Sequence, residues 1–386
     1  MKQRSHLSIK AFRTLLLAVA TLSLVACSGR TSDDHKRGEM RAQRYAQGFT
    51  VEHLEDCRRV TVRDPWDTTA VLRTYILHDK ATSIDAALYP DATIIAVPIE
   101  RTALLYSTHV SMLESLGVER AVCAVAEPEY MNFDYIQTGL ADGSIRDIGS
   151  SMQVNVEPLV ASRPHAIIVS PFPNSGYGTL EKVGVPLIEC AEYMESTPMG
   201  RVEWIKFVAL FFDLEQRADS LFEEVDQRYL AAQRLIPEGD RPTLLAERRY
   251  GGVWDVSGGN SYMAQLYRAA GAHYLWEDDP SSGALSLSFE AVFAKAQHAD
   301  YWLMKYNIGG DRMTYRGLAQ EYAPYAQFDA WKKHRVIGCN TATNHYYERG
   351  IMEPDVVLMD LISILYPDLM PDHTLRYLEL LPPDEE

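Results

Sequence analysis

The sequence predicts an α/β protein: two doubly wound α/β lobes joined by a single long helix, with a β-rich N-terminal lead-in. Two matched segments, residues 156–169 and 289–302, support this prediction. In each, a Glu lies near the start of a short amphipathic helix, and a His-Ala pair leads into an apolar run typical of a buried strand. Because the pattern occurs once in each half of the chain, it indicates two similar lobes.

The first 26 residues have the pattern of a lipoprotein signal peptide. Residues 1–13 carry four basic residues and no acid, and an apolar stretch runs from Leu15 to Ala26. That stretch is shorter than the roughly 20 residues a membrane-spanning helix needs. Cys27 follows the small residue Ala26, so we expect cleavage before Cys27 and lipidation of its thiol. The mature chain would then be anchored in the cell envelope, on the periplasmic side or at the cell surface; an ordinary secretory signal is the alternative.

The charge of the chain excludes one class of partner. Removing residues 1–26 takes away four basic residues and no acid, so the formal charge falls from −16 to −20. Nucleic-acid binding needs a basic footprint, which this chain lacks. Such an acidic surface suits a partner whose docking face is positive.

Four cysteines remain after Cys27, and their spacing matches no metal motif. Export permits disulfides. Cys123 and Cys190 both end apolar runs in the same half of the chain, so they are a possible pair. Buried free thiols are the alternative.

The composition along the chain divides it into segments. We expect a tether at 27–48, an N-terminal lobe with its lead-in at 49–197, a helical region at 198–236 and a C-terminal lobe at 237–386. In the lead-in, residues 60–62 and 70–77 have strand composition. In the first lobe the pattern predicts strands at 93–97, 121–125, 166–169 and 186–190 and helices at 104–116, 153–162 and 180–183.

The helical region has clear N-terminal helix signals and one candidate break. Thr197 supplies a capping hydroxyl and Pro198 suits the first helical position. The pattern continues to Leu235, with Asp213 as a candidate kink or break. In the second lobe we expect strands at 243–246, 301–304 and 335–338 and helices at 261–270, 288–296, 328–333 and 354–365.

Several short segments, in this order, resemble a known family. They include Ile95–Arg101 with Leu113–Val118, Arg163–Val169, and Val256–Asn260. Between about residues 90 and 370 the chain resembles the periplasmic binding proteins that serve importers of ferric siderophores, haem and cobalamin. It departs from them in the lead-in at 49–79 and in the strand after Ala299-Asp300.

The resemblance implies how the protein would deliver its cargo. Members of the family offer one surface Glu per lobe to arginines of an ABC permease dimer, which works with its ATPase. The matching positions are Glu157 and Glu290. The alternative for each is ordinary placement at a helix N-terminus, where the helix dipole favours an acid. A long joining helix also implies little closure of the lobes.

The ligand is expected between the lobes, at loops that follow the carboxyl ends of the strands. Aromatic side chains there suit a large organic ligand, and arginines suit its carboxylates. Core packing is the alternative for each aromatic residue. The candidate ligand-binding residues are Arg101, Phe172, Tyr177, Arg249, Tyr250, Trp254, Tyr306, His345 and Tyr346.

The expected function is that of a substrate-binding lipoprotein which captures a ferric, siderophore-type chelate and passes it to the permease. Haem and cobalamin are alternative ligands, and His345 and Tyr250 are the candidate haem-iron ligands. A surface binding protein without a transporter is a further alternative. The sequence has no Gly-x-Ser-x-Gly elbow and no His-Glu-x-x-His motif, so we do not expect an enzyme, and no cofactor is implied.

Overall fold

The computed structural model describes residues 39–173, 176–310 and 312–383. It begins with a five-stranded sheet, which corresponds to the predicted lead-in. The first four strands pair antiparallel, and the fifth is parallel to the fourth. The strands are β1 (Glu39–Arg41), β2 (Phe49–His53), β3 (Arg58–Arg63), β4 (Val71–Asp79) and β5 (Thr93–Val97).

The first lobe is built on a parallel sheet with helices beside it. Its strands are β6 (Thr102–Leu104), β7 (Val122–Val125), β8 (Arg146–Asp147), β9 (Gly149–Ser150), β10 (Gln153–Val154), β11 (Ala166–Val169) and β12 (Leu187–Glu189). The parallel sheet has the order β12-β11-β6-β7-β8, and β9 and β10 form a separate ribbon. The helices are α1 (Ser107–Leu116), α2 (Asp134–Asp142) and α3 (Val156–Ala161).

One predicted strand lies in a different sheet from the one expected. Residues 93–97 were expected to begin the first lobe, but β5 pairs with β4 in the N-terminal sheet. The first strand of the lobe is instead β6, which no pattern predicted. It ends at Leu104, the residue at which the predicted helix begins. The apolar sequence of a strand does not specify which strand it pairs with. Residues 93–97 belong to the N-terminal sheet because they pair with β4.

Two consecutive helices, α4 (Pro198–Leu210) and α5 (Glu215–Gln233), connect the lobes. The predicted start is confirmed, because the Thr197 hydroxyl accepts a hydrogen bond of 3.0 Å from the Gly200 amide. The single long helix is corrected to two, since Asp213 adopts a left-handed backbone with φ of 60°. A residue in that region ends the regular α-helical pattern.

The second lobe repeats the architecture of the first. Its strands are β13 (Thr243–Ala246), β14 (Arg249–Tyr250), β15 (Val253–Ser257), β16 (His273–Tyr274), β17 (Ala284–Leu287), β18 (Tyr301–Tyr306), β19 (Val336–Asn340) and β20 (Glu379–Leu380). A sheet of order β16-β13-β18-β19-β20 is parallel except for β20, and β14, β15 and β17 form an antiparallel sheet. The helices are α6 (Tyr262–Ala269), α7 (Phe289–Ala296), α8 (Tyr315–Glu321), α9 (Asp329–Lys332), α10 (Tyr346–Arg349) and α11 (Pro354–Leu365). Together the two lobes confirm the predicted α/β class.

The expected tether is too long at its C-terminal end. Residues 39–48 pack against α4 and α5 instead of standing free. Arg41 forms an ion pair with Asp219 at 2.7 Å, and the buried Glu195 accepts hydrogen bonds from the amides of Gln47 and Gly48 at 2.8 and 2.9 Å. The segment expected to be a tether instead supplies a side-chain partner for Asp219 on α5 and backbone donors for Glu195, which lies just before α4. The signal peptide and Cys27 lie outside the described residues.

The four cysteines of the described chain are all buried and free, so Cys123 and Cys190 do not form a disulfide. A continuous apolar core runs from the N-terminal sheet through α4 and α5 into the second lobe. A smaller core covers the other face of the first lobe's parallel sheet. Among the described residues, no helix is both long and apolar enough to cross a membrane.

Candidate functional site

A cavity of about 320 Å³ lies between the two lobes. It opens at the carboxyl ends of the strands, because Thr108 follows β6, Glu192 follows β12 and Lys305 is near the end of β18. This is the position expected from the sequence. The lining residues are Thr108, Glu192, Tyr193, Arg201, Ser257, Ser261, Tyr262, Met263, Ser282, Gly283, Ala284, Lys305, Tyr346, Tyr347, Gly350 and Ile351.

Arg201, in the first turn of α4, contributes a cation without a counter-ion. Its Nη2 donates to the Tyr193 carbonyl at 2.7 Å and its Nε to the Glu195 carbonyl at 3.2 Å. The guanidinium carbon lies 4.1 Å from the centre of the Tyr262 ring, in a cation–π contact. Among the described residues no carboxylate pairs with Arg201 and no acceptor bonds its Nη1. The cavity wall therefore holds a guanidinium without a direct ion-pair partner.

Lys305 contributes a second cation, which is already neutralised. Its ammonium group donates to the carboxylate of Glu247. Burial alone would lower the pKa of Lys305, but the Glu247 carboxylate outweighs burial and raises that pKa. Lys305 therefore stays charged within an ion pair and can donate further to a ligand.

Tyrosine rings form much of the remaining wall. Burial raises the pKa of Tyr262 and of Tyr346, so both phenols are neutral at pH 7. Burial, reinforced by the Glu192 carboxylate, raises the pKa of Tyr193 to about 12. The Tyr346 hydroxyl lies 3.4 Å from the Met263 Sδ. Neutral phenols present an apolar face together with a hydrogen-bonding tip.

A Gly-Gly pair brings the backbone of the second lobe close to the cavity. The Gly258 amide donates to the Gly283 carbonyl at 2.9 Å. A Cβ at Gly258 would lie 2.3 Å from the Ser281 carbonyl oxygen, which no real contact allows. The Ser-Gly-Gly-Asn segment noted in the sequence is thus required for this close approach.

The first lobe closes the base of the cavity with a buried polar cluster. The Thr108 hydroxyl donates to Glu192 at 3.0 Å. Glu192 also lies 3.5 Å from the His109 Nε2. Burial alone would raise the pKa of Glu192, but nearby His109, Cys190 and Thr108 together lower it. The carboxylate at the base is therefore ionised.

Beside the cavity, α10 of the second lobe contacts the first lobe directly. Glu348 Oε1 accepts hydrogen bonds from the backbone and side-chain nitrogens of Asn132, both at 2.9 Å. Arg349 pairs with Glu114 at 3.0 Å and lies over the Phe133 ring. We call these five residues the interlobe contact.

Two of the predicted ligand-binding residues lie at or next to the cavity. Tyr346 lines it. Phe172 packs its ring against Tyr193, with centroids 6.0 Å apart, and so supports the wall. Tyr177 also lies in the first lobe, where it is partly buried against the smaller core and burial raises its pKa.

Three other predictions are corrected by the structure. Arg101 precedes β6, so it lies at the amino end of the sheet and donates to the Ser162 carbonyl there. Trp254 is 0% exposed and packs among Trp302, Tyr325 and Phe328 in the core. Tyr306 is buried with its hydroxyl near Glu379, because successive residues of a strand face opposite sides and Lys305 takes the cavity side.

The last three predicted residues lie outside the cavity lining. Arg249 and Tyr250 form β14, where Arg249 covers the Tyr322 ring and Tyr250 is 83% exposed. His345 forms a hydrogen bond of 2.9 Å with Glu348, which is one of the residues of the interlobe contact. None of the three is among the residues that surround the cavity.

The sequence interpretation missed Arg201, Tyr262 and Lys305. For two of them a signal was present. Tyr262 directly follows Ser261, which caps α6, and Lys305 is a single charge near the end of an apolar strand. No local sequence pattern marked Arg201, because its position in the cavity wall depends on how two helices pack against the lobe that faces them.

Glu157 and Glu290 occupy matching positions. Each is exposed and lies in the first turn of its helix, α3 or α7. Each helix is followed by an interior strand of its lobe's five-stranded sheet, β11 in the first lobe and β18 in the second. A hydrogen bond with Ser288 and with its own backbone lowers the pKa of Glu290.

A comparison with known proteins defines the class to which this fold and cleft belong. A family model described as periplasmic binding protein matches residues 103–343. An uncharacterized lipoprotein of Methanocaldococcus jannaschii is 27% identical over 290 residues, which cover 71% of this chain and 67% of that protein. The chain belongs to the periplasmic binding protein family, whose members are substrate-binding proteins of ABC-type transporters and not enzymes.

Solved structures share the fold at low sequence identity. One is described as an ABC-type Fe3+-hydroxamate transport system from Saccharomonospora viridis; it is 21% identical with a TM-score of 0.53, covering 70% of this chain and 94% of that one. Another is the periplasmic haem-binding protein of Vibrio cholerae, at 18% identity and a TM-score of 0.56, covering 69% and 100%. These similarities confirm the predicted two-lobed α/β fold.

Proposed function

We propose that this protein is the substrate-binding lipoprotein of an ABC importer and that it captures a negatively charged ferric chelate of the siderophore type. The observation that carries the proposal is Arg201, an unpaired guanidinium in the wall of the interlobe cavity. Arg201 is partly buried, and a partly desolvated cation without a counter-ion is costly, so an anionic ligand would reduce that cost. The amine of Lys305 and the neutral tyrosines would supply further donors.

The size of the cavity favours a compact chelate. A volume of about 320 Å³ is at the lower end of the range usual for small-molecule sites, which runs from about 300 to 1,000 Å³. A corrinoid would need a considerably wider opening between the lobes. The interlobe contact opposes such an opening, because it joins α10 to α1 and to the loop before α2.

Haem is less well supported by the residues present. The two candidates for iron ligation, Tyr250 and His345, do not line the cavity. Tyr262 and Tyr346 line it, but a phenolate ligand must ionise and burial raises both of their pKa values. The geometry therefore favours ligand binding by charge and hydrogen bonds over direct ligation of haem iron.

Delivery completes the proposed function. Lipidation of Cys27 would hold the protein at the membrane, and Glu157 and Glu290 would dock on arginines of the permease. Their exposure and their matching positions in the two lobes support this role. Exposed ion pairs are individually weak, so the pair would orient the complex more than hold it.

Titration of the purified protein by calorimetry tests the ligand class. The probes are ferric citrate, a ferric hydroxamate, haemin and cyanocobalamin. We expect a ferric chelate to bind, and Arg201→Gln to weaken that binding by about 10- to 100-fold, the value of a lost charge-assisted hydrogen bond. Arg268→Gln is the matched control, since Arg268 is exposed on α6 outside the cavity. Binding of haemin or cyanocobalamin alone, or equal affinity in Arg201→Gln, would contradict the proposal.

A further inference from the structure

Three potential metal-ligating side chains of the first lobe converge behind the base of the cavity. His109 comes from α1, and Cys190 and Glu192 follow β12 two residues apart. One donor atom from each lies within 4.8 Å of the others. The three residues are 0%, 0% and 1% exposed, so the cluster is inside the lobe and not on its surface.

Polar atoms in this cluster lack partners. Among the described residues, neither ring nitrogen of His109 has a hydrogen-bond partner, and neither does the Glu192 Oε2. The nearest approach, 3.5 Å between His109 Nε2 and Glu192 Oε2, is an ion-pair distance without hydrogen-bond geometry. Buried polar groups are normally satisfied, and each exception costs about 1–3 kcal/mol. An ion bound between the two side chains would give a partner to the Glu192 Oε2 and to one of the two ring nitrogens of His109.

We propose that His109, Cys190 and Glu192 bind a divalent transition-metal ion of the zinc class. A thiolate, an imidazole and a carboxylate are the ligands zinc takes in proteins, and three protein ligands with one open position are the usual set of a reactive site. The thiolate excludes Mg²⁺ and Ca²⁺, which take oxygen ligands. This inference concerns the protein's own residues and does not depend on the identity of the cargo.

The geometry is close to what the ion needs. Bonds of about 2.0–2.3 Å in a tetrahedral site place the donor atoms roughly 3.3–3.8 Å apart. The His109–Glu192 separation already matches this, and the widest separation must shorten by about 1 Å, within the reach of side-chain rotation. The Thr108 hydroxyl holds the second oxygen of Glu192 and so orients the carboxylate.

The open coordination position would face the cavity. Thr108 and Glu192 both line the cavity, whereas His109 and Cys190 lie behind them. A bound ion would therefore expose one site to water or to a donor atom of a molecule in the cleft. Because all three ligands come from the first lobe, the metal site would be complete whether the lobes are open or closed.

Cys123, another buried thiol of the first lobe, differs from Cys190 in its surroundings. Cys123 donates to the Thr102 carbonyl at 3.3 Å and lies 3.7 Å from the Ser162 hydroxyl. It is an ordinary satisfied thiol, and among the described residues it belongs to no group of potential metal ligands. Cys123→Ser is therefore a matched control for Cys190→Ser, since each replaces one buried sulfur in the same lobe.

The test uses the full chain stripped of metal with a chelator and titrated with Co²⁺ and with Zn²⁺. We expect one Co²⁺ per chain and a cobalt–thiolate charge-transfer band in the near ultraviolet. We expect Zn²⁺ to compete for the same site. Cys190→Ser should lose the band, and His109→Gln should weaken binding by about 100-fold or more, since it removes a direct ligand and not merely an outer partner. Cys123→Ser should behave like the wild type.

X-ray absorption of the zinc-loaded wild-type protein makes the test independent of how the variants fold. One sulfur neighbour and two or three nitrogen or oxygen neighbours support the site. The inference is overturned by a zinc shell without sulfur, by the absence of a thiolate band in the wild type, or by a band of equal strength in Cys190→Ser.

Discussion

Glu203 shows how much one buried carboxylate contributes to this structure. It accepts hydrogen bonds from the backbone amides of Arg44, Tyr45 and Ala46 at 2.9, 2.7 and 2.9 Å, and Lys206 donates to it at 3.0 Å. Burial alone would raise the pKa of Glu203, but the three amides and Lys206 outweigh burial and lower it. The ionised side chain therefore holds the N-terminal segment on α4.

We predict that Glu203→Gln lowers the free energy of unfolding by about 1–3 kcal/mol at pH 7, because an amide has only one acceptor oxygen for these donors. The folded-state pKa lies below the unfolded value of about 4.3. The contribution is therefore complete above that value and is lost as the pH falls through the folded-state pKa. Urea unfolding at pH 7 and below pH 4 should show the difference between variant and wild type shrinking in acid.

The exposed Glu224 on α5 provides the control for this prediction. Glu224→Gln should change the free energy of unfolding by less than about 0.5 kcal/mol at either pH, as surface substitutions usually do. If Glu203→Gln proves as neutral as Glu224→Gln, the N-terminal segment is not held by the carboxylate.

At this scale the sequence predicted the kinds of side chain at the site better than their positions. Tyr346, in a polar stretch, was identified and lies in the cavity, whereas Trp254, which comes shortly after a Gly-Gly pair, fills the core. Lys305 and Tyr306 are neighbours on β18 and therefore point to opposite faces of its sheet. Which of them reaches the cleft depends on which face is covered by the core. That face depends on contacts between elements far apart in sequence, which a local pattern does not contain.

The short helix α10 contributes most to the interlobe contact. Glu348 accepts two hydrogen bonds from Asn132 across the lobe boundary, and its second oxygen bonds His345 at 2.9 Å. The next residue, Arg349, pairs with Glu114. Because one turn of helix makes both contacts, a single substitution there should affect the arrangement of the lobes without disturbing either core.

We predict that Glu348→Ala loosens the lobes in the ligand-free protein. The loss of both hydrogen bonds with Asn132 should increase the radius of gyration measured by small-angle X-ray scattering. The wild type should change little on ligand binding. Glu321→Ala is the control, because Glu321 pairs with Arg248 inside the second lobe. Identical profiles for the two variants would argue that α4 and α5 alone set the spacing of the lobes.

The sequence predicted well which segments form helices and strands, but it predicted less well which sheet each strand joins. The pattern at 288–296 corresponds to α7, and that at 354–365 to α11. In contrast, β5 was assigned to the wrong sheet, and the antiparallel strands β14, β15 and β17 were not expected. Helix periodicity and caps are local signals, whereas the partner of a strand is chosen by packing.

For the whole molecule, the two lobes must act together if the protein serves a transporter. We predict that Glu157→Ala combined with Glu290→Ala abolishes uptake of the ferric chelate while leaving its binding affinity unchanged. Both carboxylates are exposed and neither lines the cavity. Uptake by cells carrying the cognate permease, together with calorimetric affinity of the purified variant, measures the two effects separately.

A second double variant, Glu224→Ala with Glu238→Ala, removes the same charge at exposed positions outside α3 and α7. It should transport like the wild type. Equal loss of uptake in both double variants would indicate a general charge effect, and loss of affinity in the first would place Glu157 or Glu290 in the binding site.

Under the proposed lipidation of Cys27, the attachment of residues 39–48 to α4 and α5 would limit how far the protein can travel from the membrane. Twelve residue steps separate Cys27, the proposed anchor, from Glu39 at the start of β1. At about 3.3–3.6 Å per residue, twelve steps span no more than about 43 Å. Confinement to so thin a layer raises the effective concentration of the protein at a membrane-embedded partner. Weak docking through two carboxylates can then suffice, and a loaded protein can be released after each encounter.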